Sequence, residues 1–78
     1  PATALFAGQG GLEVIAPLVA GAAAHLHPGG LLALEIGTAQ GPATAELIAA
    51  SGGFHPARVL RDLGGHERMV LAERLAGD

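Results

Sequence analysis

Glu35 closes the apolar run Leu31-Leu32-Ala33-Leu34 and stands just before Gly37-Thr38-Ala39-Gln40. A carboxylate, a hydroxyl and a carboxamide gathered where an apolar strand turns can donate and accept hydrogen bonds to an amide-bearing ligand. Open α/β sheets hold their ligands at the carboxyl ends of their strands. On a functional reading, Glu35, Gly37, Thr38 and Gln40 form a rim that accepts a substrate amide or orients a loop. On a structural reading, Glu35 is a buried edge carboxylate satisfied by neighbouring backbone donors, the commoner fate of such a group.

Other chemistries are poorly provided for. Cysteine and lysine are absent and Ser51 is the only serine, so covalent catalysis lacks a nucleophile. His25 and His27 are two apart, a spacing that sends them to different sides of a helix, and no carboxylate follows for seven residues. His55 before Pro56 and His66 after Gly65 read as turn residues. No metal site is expected. Gly8-Gln9-Gly10-Gly11 could present backbone donors to an anion, but it lacks the G-x-G-x-x-G order and an acidic residue about 20 positions on, so it reads as a flexible helix lead-in. No catalytic or cofactor-binding residue is assigned. Arg61, Asp62, Glu67 and Arg68 set opposite charges on both sides of a tight turn, the pattern of cross-strand ion pairs.

Glycine doublets mark out the elements that must position these groups. Leu12, Ile15, Val19, Ala22 and Leu26 recur at helical spacing and predict a helix over 11–26, interrupted at Pro17 by one missing donor. His27-Pro28-Gly29-Gly30 stops it, with a glycine available for a left-handed cap. The stretch 31–36, continuously apolar until Glu35, suits a strand covered on both faces. Pro42 opens a second helix over 42–51, capped by Gly52-Gly53. A short strand over 57–61, a hairpin through Leu63-Gly64-Gly65-His66 and an antiparallel strand over 69–73 follow. The order is helix, strand, helix, strand, strand, and no strand is expected before Gly8.

The chain has 78 residues, four of them basic and all arginine, against seven acids, for a net charge of −3. No basic field exists to hold phosphate backbones, so direct nucleic-acid binding is not expected. Residues 14–34 carry no Lys, Arg, Asp or Glu, but Pro17, Gly21 and Pro28-Gly29-Gly30 argue against a membrane span. No basic residue precedes this stretch, which argues against a signal peptide. A cytoplasmic location is expected.

Three stretches carry a resemblance. Ala4-Leu5-Phe6-Ala7-Gly8 with Gly11-Leu12, Leu34-Glu35-Ile36-Gly37 with Gln40-Gly41, and Arg61-Asp62-Leu63-Gly64-Gly65-His66-Glu67-Arg68 together resemble the C-terminal third of the HemK/PrmC family, the release factor glutamine methyltransferases. The resemblance implies an α/β fold, the C-terminal portion of a Rossmann-like class I methyltransferase sheet, with residues 1–78 one fragment of a single methyltransferase domain. It implies S-adenosylmethionine as the parent's cofactor and a peptide chain release factor as its substrate partner. The glycine-rich cofactor loop, the ribose-binding acid and the Asn-Pro-Pro-Tyr motif of that family are not in this sequence, so the chain alone is expected to bind no cofactor and to be inactive. The carry-over reaches Glu35, Gly37 and Gln40 on the substrate side, and Arg61, Asp62 and Arg68 without a role.

Physics points the same way. Right-handed crossovers put both helices on one face of the sheet and leave the other bare. The isolated chain is therefore expected to self-associate or to pack against the remainder of the domain. Two rivals stand beside the first reading. One is a small non-catalytic α/β protein that pairs its exposed sheet; the other is a piece of a sibling methyltransferase with another substrate.

Overall fold

A computed structural model describes residues 2–7 and 11–76. In chain order the elements are β1 (Thr3–Ala7), α1 (Leu12–His25), β2 (Leu31–Glu35), α2 (Gly41–Ser51), β3 (Arg58–Arg61) and β4 (Glu67–Glu73). The four strands form one sheet in the order β1-β2-β4-β3. β1 and β2 are parallel, and β4 runs antiparallel to both of its neighbours. The return strand therefore lies between the other two strands expected from the sequence.

β1 corrects the expected element order. Thr3-Ala4-Leu5-Phe6-Ala7 is short and holds two alanines, which have little strand preference, so local pattern says little. Pairing decides it: the register runs from Thr3↔Leu31 to Ala7↔Glu35. Gly8 to Gly10, most of the glycine-rich lead-in, lie outside the described residues.

Both helices cover the same face. Ile15, Val19, Ala22 and Leu26 of α1 and its C-cap join Ile48 of α2, Leu32 and Leu34 of β2, and Val70 and Ala72 of β4 in one buried cluster. Each fully buried Leu, Ile or Val contributes about 1.5–3 kcal/mol of transfer free energy, the main force holding the layers together. α1 runs through Pro17, and its C-cap Leu26 is extended rather than left-handed. The left-handed glycine falls three residues later, at Gly29. α2 ends as expected on Gly52, at φ 80°.

The opposite face is open. Directly paired residues point the same way, so Leu5, Ala33 and Leu71 form one row there with Arg58. Glu35, Met69 and Leu60 form the next row. Leu5 is 64% exposed and Leu60 41%.

Candidate functional site

Parallel pairing brings the carboxyl ends of β1 and β2 to one edge of the sheet, and antiparallel pairing brings the start of β4 beside them. Ile36 N–H donates to the Arg68 carbonyl at 3.0 Å, which fastens the end of β2 to the β3–β4 hairpin.

The four rim residues named from sequence do not all converge. Gly37 N–H donates to Gln40 Oε1 at 2.8 Å, and Gln40 N–H to the Gly37 carbonyl at 3.2 Å, so these two close a small loop. Thr38 is exposed at the turn of that loop. Ala39, beside it, holds φ 73°, a left-handed conformation that costs a non-glycine residue about 1–2 kcal/mol. Such outliers persist only where the surroundings over-determine them. Glu35 is the correction. It is exposed, not buried, and its register with Met69 sets it on the open face of the sheet. Its carboxylate is open to solvent there, so the argument that burial demands a partner does not apply.

Glu67 is the residue whose place the sequence did not reveal. Its Oε1 accepts the backbone N–H of Gly41 at 2.8 Å, and its Oε2 accepts Arg61 Nη2 at 3.2 Å. The side chain is only 13% exposed. Strict alternation along β4 would put Glu67 beside Met69 on the open face. The register shifts between Leu60 and Arg61: Leu60 pairs with Met69 and Arg61 with Glu67, so Arg68 is the extra residue of a bulge. A bulge re-aims the side chains beyond it, and here it turns Glu67 toward the helices. Sequence showed only opposite charges around a turn, which the structure resolves into Arg61–Glu67 and Arg68–Asp62 pairs, the latter at 2.8 Å.

Asp62 organises the turn itself. Its Oδ1 accepts the N–H groups of Gly64 and His66, both at 2.9 Å, and its Oδ2 accepts Arg68 Nε. The Arg68 hydrogen bond, helped by the backbone donors of His66 and Gly64, holds the Asp62 carboxyl below the usual aspartate range. Leu63 is fully exposed at the tip.

Two concavities lie away from this edge. One of about 330 Å³ on the open face is lined by Leu31, His55, Arg58, Leu71 and Glu73 among others. The other, about 270 Å³, is an apolar groove between β1 and α1 lined by Ala4, Phe6, Pro17, Leu18 and Gly21. None of the four rim residues lines either. Among the described residues no three His, Asp or Glu side chains gather as a metal site would require.

Comparison with known proteins follows the same residues. The chain is 42% identical over 71 residues, 91% of its length, to a release factor glutamine methyltransferase of Gloeobacter violaceus. It is 47% identical over 74 residues, 95% of its length, to that of Moorella thermoacetica. With the protein of the same name from Deinococcus radiodurans it is 47% identical over 77 residues, 99% of its length. The matched stretch is the C-terminal quarter of release factor glutamine methyltransferases. It spans 25%, 26% and 27% of these three relatives. No family model matches the chain, and no solved structure matches it.

A methyltransferase implies S-adenosylmethionine, and the opening of α2 does not fit a negatively charged group of that cofactor. The first N–H of α2, that of Gly41, is held by Glu67. Pro42 follows and has no N–H to give. An internal carboxylate already takes the place an incoming anion would need. What this segment does offer is a closed, polar loop over residues 37–40, pinned at both ends.

Proposed function

We propose that residues 1–78 are the C-terminal part of a single Rossmann-like class I methyltransferase domain. The parent transfers a methyl group from S-adenosylmethionine to the side-chain amide of a glutamine in a peptide chain release factor. The observation that carries this reading is identity of 42–47% across 91–99% of the chain to three relatives of that name. The fold is compatible with it: a mixed α/β sheet whose last strand inserts antiparallel between two others. In the parent, Gly37, Thr38 and Gln40 form the substrate-side rim, and Glu35 borders it from the open face. The cofactor is held by sequence other than this. The chain alone is inactive, and the rest of the domain covers its open face.

A chimaera tests the reading. The matching C-terminal segment of the Deinococcus radiodurans relative is replaced by this chain, and methyl transfer from labelled S-adenosylmethionine to a release factor is measured. Transfer supports the proposal. A folded chimaera that binds S-adenosylmethionine but leaves the release factor unmodified overturns it in favour of a sibling methyltransferase with another substrate. The open apolar face favours a second reading, a non-catalytic module that pairs its sheet with a copy. A chimaera that does not assemble while the isolated chain forms stable dimers supports that second reading.

A further inference from the structure

We infer that Glu67 is a positioning residue: aimed by the β4 bulge, it fixes the Gly37–Gln40 loop at the carboxyl edge in the place where the release factor is engaged. This rests on the functional reading above and deepens it. Three observations carry it. First, the bulge at Arg68 turns Glu67 off the open face, and bulges recur next to active sites because they re-aim a side chain. Second, the carboxylate is nearly buried and both oxygens are used, one on the Gly41 N–H and one on Arg61. A charge-assisted hydrogen bond of that kind is shorter and about twice as strong as a neutral one. Third, Gly41 directly follows the loop. Gln40, the preceding residue, sends its side chain back to Gly37 N–H and its carbonyl forward to Thr44 N–H at 3.0 Å.

The loop is thereby held at one end by the strand and at the other by Glu67. The Ile36 N–H bond to the Arg68 carbonyl secures the first end, and Arg68 is itself the bulged residue. One irregularity in β4 thus anchors both ends of the loop. Ala39 keeps its left-handed φ of 73° between those anchors, a conformation with a cost that a free loop would relax. Glu67 touches no substrate in this arrangement. It acts through Gly41 and Gln40.

Two measurements test this. In the 78-residue chain, amide hydrogen exchange of Gly37, Gln40 and Gly41 is compared between the unsubstituted protein and Glu67→Ala, with Leu32 and Leu34 as references. Loss of the anchor speeds the loop amides by about tenfold, the equivalent of one hydrogen bond to a charged group, and leaves the reference amides alone. In the Deinococcus chimaera, Glu67→Ala raises KM for the release factor by about tenfold on the same reasoning, with KM for S-adenosylmethionine unchanged. Glu67→Gln, which keeps an acceptor for the Gly41 N–H, restores most of both properties. Glu67→Asp keeps the charge but falls one methylene short; it reproduces the alanine result and replaces it where the alanine protein does not fold. Unchanged loop exchange, or equal rises in KM for both substrates, overturns the inference. An inactive unsubstituted chimaera overturns the functional reading and the substrate-side role with it, while the exchange result still decides whether Glu67 holds the loop.

Discussion

Glu67 Oε1 sits in the space that a side chain at residue 41 would need. A Cβ built on Gly41 would lie 2.7 Å from Glu67 Oε1 and 2.8 Å from Val59 Cγ1. Glycine at this position is therefore a matter of room, because the hairpin carboxylate closes directly on the backbone of α2.

Gly41→Ala forces Glu67 and Val59 apart and breaks the bond that joins hairpin to helix. Overpacking of this kind costs about 1–3 kcal/mol, more than alanine's helix preference returns. Urea unfolding followed by circular dichroism checks it, with Gly21→Ala as the control. A Cβ at Gly21, in the middle of α1, meets nothing within 4 Å, so that change raises stability by about 0.5–1 kcal/mol. A Gly41→Ala chain as stable as the unsubstituted one contradicts the tight approach described here.

Asp62 makes the hairpin sensitive to acid. Its folded carboxyl ionises below the ordinary aspartate range, chiefly because of the Arg68 hydrogen bond. A depressed folded pKa contributes stability that is fully present above the unfolded value, about 3.9. That contribution is lost as pH falls through the folded value. Thermal melting of the chain and of Asp62→Asn should therefore differ near pH 7, and differ by less at about pH 2.5, below the unfolded value. An identical gap at both pH values shows that the charge of Asp62 is not what the turn uses.

How much of this was legible in the sequence depends on what sets each feature. α1, α2 and β2 could be read because their cues are local: a 3-4 apolar spacing, a proline at the start of a helix, an unbroken apolar run. The return strand and the turn at Gly64-Gly65 could be read from chain direction and turn chemistry. β1 could not, since Thr3-Ala4-Leu5-Phe6-Ala7 becomes a strand only by pairing with Leu31 to Glu35. At the candidate site, the closed loop of Gly37 and Gln40 fell where the sequence put it. Glu35 did not, because the pleat directs it to the open face, and Glu67 was hidden because a one-residue bulge reverses the side on which alternation would place it.

Thr44 offers a stabilising change. Its side chain is fully buried in α2, and its Oγ1 has no hydrogen-bond partner among the described residues. A buried hydroxyl without a partner costs about 1–3 kcal/mol, and valine has the same shape without it. Thr44→Val should raise the midpoint of urea unfolding, with a gain of about 1 kcal/mol and an unchanged slope. A loss of stability instead would reveal a partner for Oγ1, such as a bound water, that the hydroxyl needs.

The open face sets the behaviour of the chain on its own. Leu5, 64% exposed, shares a row with Ala33 and Leu71, and Leu60, 41% exposed, lies beside Met69. β1 and β3 are the outer strands of the sheet, and an exposed apolar face bounded by outer strands is a ready surface for association. Sedimentation velocity over a range of concentrations should show the isolated chain in exchange with dimers or larger species. Leu5→Lys places a charge at the β1 end of the apolar row and should shift that equilibrium to monomer. Lysine is also a common device for protecting strand edges. Thr38→Lys, on the exposed rim loop, should leave the equilibrium as it is. If Leu5→Lys associates as strongly as the unsubstituted chain, the contact between copies runs through another surface, and the apolar groove lined by Phe6, Leu18 and Gly21 is the next to be substituted.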